Sequence, residues 1–463
     1  QLHGIIKFNL KESLQAIDKV LLSTIAACGD VNRNVMCNTN PHQSEAHAEV
    51  IATARAISKH LEPRTPAYRE IWLDGEKIAG NVGDEVVEPI YGKTYLPRKF
   101  KIAVAVPPAN DVDVLANDLG FIAILDKRGK IVGYNVAVGG GMGMTHGESE
   151  TYPRTADLMG FCRSEDVLKV AEAVVTVQRD WGDRANRKHA RLKYTIDDRG
   201  LDAFRAEVER RVGKPFEKWR PFAFDAAGDR YGWTTGENGR HHLTLFVENG
   251  RIADRAGGPR MLTGLRRIAE IHDGEFRLTG NQNIVIANVA DDKRAAVEAL
   301  IAEHGFGQGV SALRRNSMAC VALPTCGLAL AESERYLPDL VTALEGRLAA
   351  HGLADDDIVI RMTGCPNGCA RPYLAEIGVV GKGPGRYNLY LGAAFDGTRM
   401  SKLFAEDLDH DGLVATLDPV FAAYAAERMP DERFGEFTIR AGFVARTING
   451  LDFHADAGAK RHA

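Results

Sequence analysis

Four of the chain's seven cysteines fall in two short segments, Cys320-x5-Cys326 and Cys365-x3-Cys369, with residues 327–364 between them. Four thiolates drawn from two such segments can surround one metal centre. Paired zinc ligands in ribbons and fingers are usually separated by about two to four residues, so the spacing from Cys320 to Cys326 is loose for zinc. Four cysteines suit an iron–sulfur cube, in which each corner iron takes one thiolate. The segment Thr363-Gly-Cys-Pro-Asn-Gly-Cys369 places Gly364, Pro366 and Gly368 around two of the thiols. Small residues let a cluster approach the backbone, and exposed N–H groups can donate to its sulfurs. On spacing alone a zinc site, a metal-stapled scaffold without catalysis, and four buried thiols stay open as alternatives. The other three cysteines carry no such pattern: Cys28 ends a predicted helix, and Cys37 and Cys162 fall in predicted loops.

A second constellation is basic. Arg33 stands in Asn32-Arg-Asn34, and Arg98, Lys99 and Lys101 in Pro97-Arg-Lys-Phe-Lys101. If that segment is extended, Lys99 and Lys101 point to one side, where two ammoniums could face one oxyanion and supply protons. Asn186-Arg-Lys-His-Ala-Arg-Leu-Lys193 is a third basic run, as readily a solvated face as a binding surface. Gly139-Gly-Gly-Met-Gly143 lacks the order and the strand–helix context of a dinucleotide loop. It reads instead as backbone passing close to a bound group.

The elements that must position these residues form a mixed α+β pattern. Strands are predicted at 1–8, 101–106, 120–125, 130–138, 275–289 and 358–362. Helices are predicted at 12–27, 43–60, 165–181, 201–212, 262–271, 291–304 and 337–351, with a helical stretch around 419–428. Hairpins are predicted to turn at Asp126–Gly129, Glu248–Gly250 and Lys382–Gly385. The strand-then-helix order of 275–304 is similar to that of 1–27, which suggests an internal repeat with a truncated first copy. The chain starts at Gln1, inside an apparent strand, and an N-terminal portion is expected to precede it. The 463 residues accommodate roughly three domains. A net charge of −4 argues against a nucleic-acid protein held by bulk positive charge. The absence of any apolar run of about 18 residues argues against a membrane span. An odd, sparse set of cysteines reads as reduced thiols in a cytoplasmic protein.

The motifs Cys320-Val-Ala-Leu-Pro-Thr-Cys326 and Thr363-Gly-Cys-Pro-Asn-Gly-Cys369 resemble those of the sirohaem sulfite and nitrite reductase family. Tyr95–Lys101, Asn110–Asp118 and Lys382–Asn388 extend the resemblance over essentially the whole chain, and Asn110–Asp118 favours the NADPH-dependent assimilatory type. The resemblance implies a three-lobed α+β fold with pseudo-twofold ferredoxin-like repeats. Its lobes are expected at 1–25 with 231–307 (ferredoxin-like), 26–230, and 308–463. It implies a 4Fe–4S cluster on Cys320, Cys326, Cys365 and Cys369, with Cys369 bridging to sirohaem. Arg33, Lys99 and Lys101 are then the anion-binding, proton-delivering residues, and a further arginine is expected upstream of Gln1. Gln1, His3, Asn281, Gln282 and Asn283 are expected at the sirohaem edge. The implied reaction is the six-electron reduction of sulfite to sulfide in sulfate assimilation and cysteine biosynthesis. With no nucleotide motif in the chain, a separate flavoprotein (alpha) subunit would supply electrons from NADPH. A ferredoxin-dependent sulfite or nitrite reductase would share the same cysteines and most of the basic residues.

Overall fold

The computed structural model describes residues 5–20, 29–64, 71–79, 87–307 and 309–455. Gln1, His3 and Cys28 lie outside these ranges.

Three sheets organise the chain. The first runs through β1 (Asn32–Cys37), β2 (Phe100–Ala105), β3 (Leu119–Leu125), β4 (Ile131–Val138) and β5 (Asp157–Cys162), neighbours in that order. β1, β2 and β3 are parallel, and β4 and β5 return antiparallel. The second sheet has β6 (Gly232–Thr235), β7 (His241–Leu245), β8 (Glu275–Leu278) and β9 (Ile284–Val289), in the order β6-β7-β9-β8. The third has β10 (Ser317–Ala319), β11 (Ile360–Thr363), β12 (Ile377–Gly383), β13 (Arg386–Leu391) and β14 (Lys402–Leu408). Its order and strand senses repeat those of the first sheet.

Each sheet buries its own apolar residues. Helices Glu45–His60 and Val167–Trp181 cover the first sheet through Val50, Ile57, Val170 and Val174. Helices Leu337–Ala350 and His410–Glu427 cover the third through Leu340, Leu344, Leu417 and Phe421. Helices Met261–Ile271 and Asp291–Glu303 cover the second through Ile268, Val297 and Ile301.

The repeat reaches single residues. Val35 pairs Ile102, which pairs Leu119; Ser317 pairs Ile360, which pairs Ile377. Six residues before Leu119 and before Ile377 stand Asp113 and Arg371, both in the left-handed region at φ 43° and 54°. Non-glycine residues seldom adopt that conformation, and it is stored where the surroundings over-determine it. Here the two meet. The Arg371 guanidinium donates to the Asp113 carboxylate, as does Arg361 at 2.6 Å, and Asp113 and Arg361 are 1% and 3% exposed.

Four predicted elements differ. Of the opening strand, the described part holds a short 3-10 turn at Lys7–Asn9 that leads into helix Leu10–Lys19. Ile5, Ile6 and Phe8 are exposed and face no neighbouring strand among the described residues, and a strand needs a partner for its backbone groups. The predicted strand 275–289 is two strands, β8 and β9, folded on a turn at Thr279–Asn283. Glu248–Gly250 is a 3-10 turn and not a hairpin, because β7 pairs with β6 and β9. The C-terminal helix runs from His410 to Glu427 with Pro419 inside it.

Candidate active site

The four cysteines lie at the ends of β10 and β11, where a parallel sheet presents its loops. Cys320 follows β10, and Cys365 follows β11 after Gly364. Cys326 and Cys369 end the two loops. The main-chain N–H of Gly364 donates to Cys320 Sγ at 3.4 Å. Burial pushes the Cys320 thiol up to about 11, and the charge of Cys369 adds to that; Cys365 is raised by burial and by Cys369 and Cys326. All four sulfurs therefore share one locality. Among the described residues no three His, Cys, Asp or Glu side chains converge at single-ion spacing. Two observations fit a cluster. A Cβ on Gly364 would lie 2.5 Å from Ala322 Cβ and from the Ala331 carbonyl oxygen, so only glycine brings this N–H so close. Thr363 Oγ1 is buried with no partner in the protein, so its hydroxyl is left to donate to a bound group. Raised thiol pKa values mean that assembly of a metal centre releases protons.

The repeat explains why only one half carries this chemistry. Counting from the paired strands, Asn38 occupies the place of Cys320 and Asp111 the place of Cys369. Asn38 Nδ2 donates to Asp111 Oδ2, so the first half closes on itself where the second half presents thiols.

The first half supplies cations instead. Lys99 immediately precedes β2 and Lys101 is its second residue. Between Asn32 and Asn34 the β1–β2 register slips, so Arg33 is the extra residue of a β-bulge opposite Phe100 and Lys101. Bulges re-aim side chains beside active sites, and this one sets Arg33 among the lysines, with its Nε donating to the Gly29 carbonyl at 3.0 Å. Lys99 is lowered to about 8 by burial first and then by Arg191, Lys101, Arg98 and Arg33. Lys101 is lowered by burial and Arg191, against the opposing charges of Asp118 and Cys369. Lys101 and Cys369 are both solvent-accessible even though protein crowds Lys101 closely enough to depress it. The charge of Cys369 reaches Lys101, so the two stand near one another at the surface.

The structure thus brings together Arg33, Lys99, Lys101 and Cys369. It adds Arg191 and Arg371, which the sequence reading had not singled out. Arg191 belongs to the third basic run, and Arg371 lies two residues past Cys369. Most of the run 186–193 is structural. Arg187 pairs Asp30 at 3.0 Å, Lys188 pairs Glu148, and Arg191 pairs Asp118 at 2.8 Å. Asn281 and Asn283 sit on the β8–β9 turn and donate to Asp229 at 3.1 and 2.8 Å. Asn281 also accepts from Arg371 at 3.0 Å, the link from this turn to the site. Gln282 donates to the Ala319 carbonyl, beside Cys320, and its Oε1 is buried without a partner. The Gly139–Gly143 loop packs on the cysteine segment: a Cβ on Gly143 would lie 3.2 Å from the Asn367 oxygen.

Residues 52–216 match the family described as "Nitrite and sulphite reductase 4Fe-4S domain", and residues 235–304 match the "Nitrite/Sulfite reductase ferredoxin-like half domain". The first match contains Lys99, Lys101 and Arg191 but none of the four clustered cysteines, which lie in the other half of the repeat. The chain is 69% identical, over 99% of its length and 76% of the relative, to the sulfite reductase [NADPH] hemoprotein beta-component of Methylobacterium nodulans. It is 57% identical, over 98% of its length and 79% of the relative, to the protein of that name from Geobacillus kaustophilus. The chain belongs to this hemoprotein beta-component family. The fold agrees with the Mycobacterium tuberculosis NirA protein at a TM-score of 0.74, covering 94% of this chain and 75% of that one at 26% identity. Within this three-sheet frame, the cations of one half-repeat lie near the thiols of the other. Among the described residues no helix is long and apolar enough to cross a membrane.

Proposed function

We propose that the chain reduces sulfite to sulfide between Cys369 and the Arg33–Lys99–Lys101 set. The observation that supports this most directly is the exposed Cys369 thiol whose charge reaches Lys101, with companion cysteines beside it. Cys320, Cys326, Cys365 and Cys369 hold a 4Fe–4S cluster in this reading, and Cys369 also meets sirohaem. Gln1, His3 and Gln282, with its unused buried oxygen, are assigned to the sirohaem edge. Asn281 and Asn283 hold the turn that carries Gln282. When bound, the coupled pair supplies electrons to an anion held at the sirohaem iron.

The chain's own residues do the rest. Arg33, Lys99, Lys101 and Arg191 neutralise the oxyanion and the cofactor carboxylates with charge-assisted hydrogen bonds. Lys99, lowered to about 8, is protonated at neutral pH yet near enough to give its proton up, as a general acid requires. Electrons reach the chain from a flavoprotein alpha subunit; the relatives' designation as a beta-component of an NADPH enzyme supports a second component. The lobes are 1–25 with 231–307, 26–230 and 308–463 in this reading, supported by a main apolar core under each of the three sheets.

The visible spectrum of the purified protein tests the reading. Chlorin-type bands that shift on adding sulfite or cyanide, together with iron and acid-labile sulfide, are expected. A colourless protein containing zinc overturns it. In Cys369→Ser the sirohaem and cluster signals are expected to uncouple and turnover to vanish; sulfite reduction retained in that variant removes the bridging role.

A further inference from the structure

Two basic residues at the start of helix Leu192–Arg199 tie down different parts of the site. Arg191 donates through Nε and Nη2 to Asp118 at 3.0 and 2.8 Å, and Asp118 also accepts the main-chain N–H of Lys101 at 2.9 Å. Lys193 points the other way and is 0% exposed. Its Nζ donates to the carbonyls of Gly141 at 3.2 Å, Gly143 at 2.7 Å, and Tyr152, and lies 4.8 Å from the Tyr194 ring centroid. An ammonium has three protons, and here all three go to main-chain oxygens. No carboxylate lies within ion-pair distance of it among the described residues; burial pushes its pKa well down, against the charges of Asp118 and Asp197, and its Nζ grips a loop.

That loop approaches the cysteine segment closely through backbone. The Met144 N–H donates to the Pro366 carbonyl at 3.0 Å. A Cβ on Gly143 would lie 3.2 Å from the Asn367 oxygen, and one on Gly368 3.0 Å from the Met142 oxygen. The hydrogen bond and the lack of room for a Cβ at Gly143 and Gly368 couple the two loops, so a shift in one is passed to the other.

We propose that Lys193 is a positioning residue for the iron–sulfur segment: by anchoring Gly141 and Gly143 it sets where Cys365 and Cys369 stand relative to the lysines of β2. The proposal rests on the cluster reading above.

The experiment compares wild-type holoenzyme with Lys193→Met and Gly143→Ala. The second variant leaves the ammonium in place and disturbs only the contact with Asn367. Iron and labile sulfide, the cluster's midpoint potential, the electron paramagnetic resonance spectrum of the reduced protein, and sulfite turnover are read for each. Both variants are expected to shift the potential and the spectrum and to lose at least tenfold in turnover. A wild-type potential and spectrum in Gly143→Ala, and in Lys193→Met where it folds, overturn the positioning role even if thermal stability drops. Wild-type protein lacking iron and labile sulfide overturns the cluster reading itself.

Discussion

Lys99 shows how neighbours tune a single group. Burial and four adjacent cations lower its ammonium to about 8, so its charge is lost as pH rises through that value. Sulfite binding that relies on the charged form weakens above about pH 8, and the Lys99→Arg variant, which stays charged, keeps its affinity there. Steady-state KM for sulfite from pH 6.5 to 9.5 checks this. A KM limb at the same pH in both proteins removes Lys99 as its source. Arg replaces the charge but not a transferable proton, so kcat is expected to fall by about 10²-fold or more in the same variant.

At the scale of elements, the site is made by strand ends and by one bulge. Arg33 reaches the lysines because an extra residue is inserted opposite Phe100 and Lys101. Cys320 and Cys365 are close because β10 and β11 are adjacent parallel strands. Gly364 lies where their loops cross. Gly364→Ala forces a methyl group to 2.5 Å from Ala322 and Ala331, costing about 1–3 kcal/mol by overpacking. Lower iron content at equal expression, and a melting temperature reduced by a few degrees, are the expected outcome. Full iron occupancy and unchanged melting would show that the loop has room the packing denies it.

At the scale of the molecule, the two half-repeats meet at Asp113, Arg361 and Arg371. Removing the carboxylate leaves two guanidiniums facing each other, one of them almost wholly buried. Asp113→Ala is expected to cost about 3–5 kcal/mol, read as a lower denaturant midpoint. Arg361→Met with Asp113→Leu is expected to recover much of that loss. A second buried acid sets a pH dependence. Burial and Asp229 raise Asp111 to about 7 against the donation from Asn38. The folded state therefore holds a proton that the unfolded chain releases near pH 4. Stability falls as pH rises from about 4 toward 7 and levels off above it. Asp111→Asn removes that ionisation. The gain in melting temperature over wild type is expected to be small at pH 5 and to grow toward pH 8; a gain independent of pH contradicts the assignment.

The cysteine centre and the two lysines were legible from sequence because their chemistry is local. Four thiols in two glycine-flanked segments, and two ammoniums two residues apart on one strand, keep their meaning whatever the fold around them. Most helices and the hairpins at Asp126–Gly129 and Lys382–Gly385 were legible for the same reason, since side-chain period and turn residues act over a few positions. Tertiary structure decided everything that depends on a partner distant along the chain. The opening segment had strand-like residues but no described strand to pair with, and Glu248–Gly250 had a hairpin's turn while its flanking strand paired elsewhere. The basic run 186–193 became a set of ties to Asp30, Glu148, Asp118 and three carbonyls. Arg371 entered the site, and Asn281 and Asn283 were drawn to Asp229. The pairing of cations from one half-repeat with thiols from the other lies in no single segment, because it arises where the two half-repeats meet.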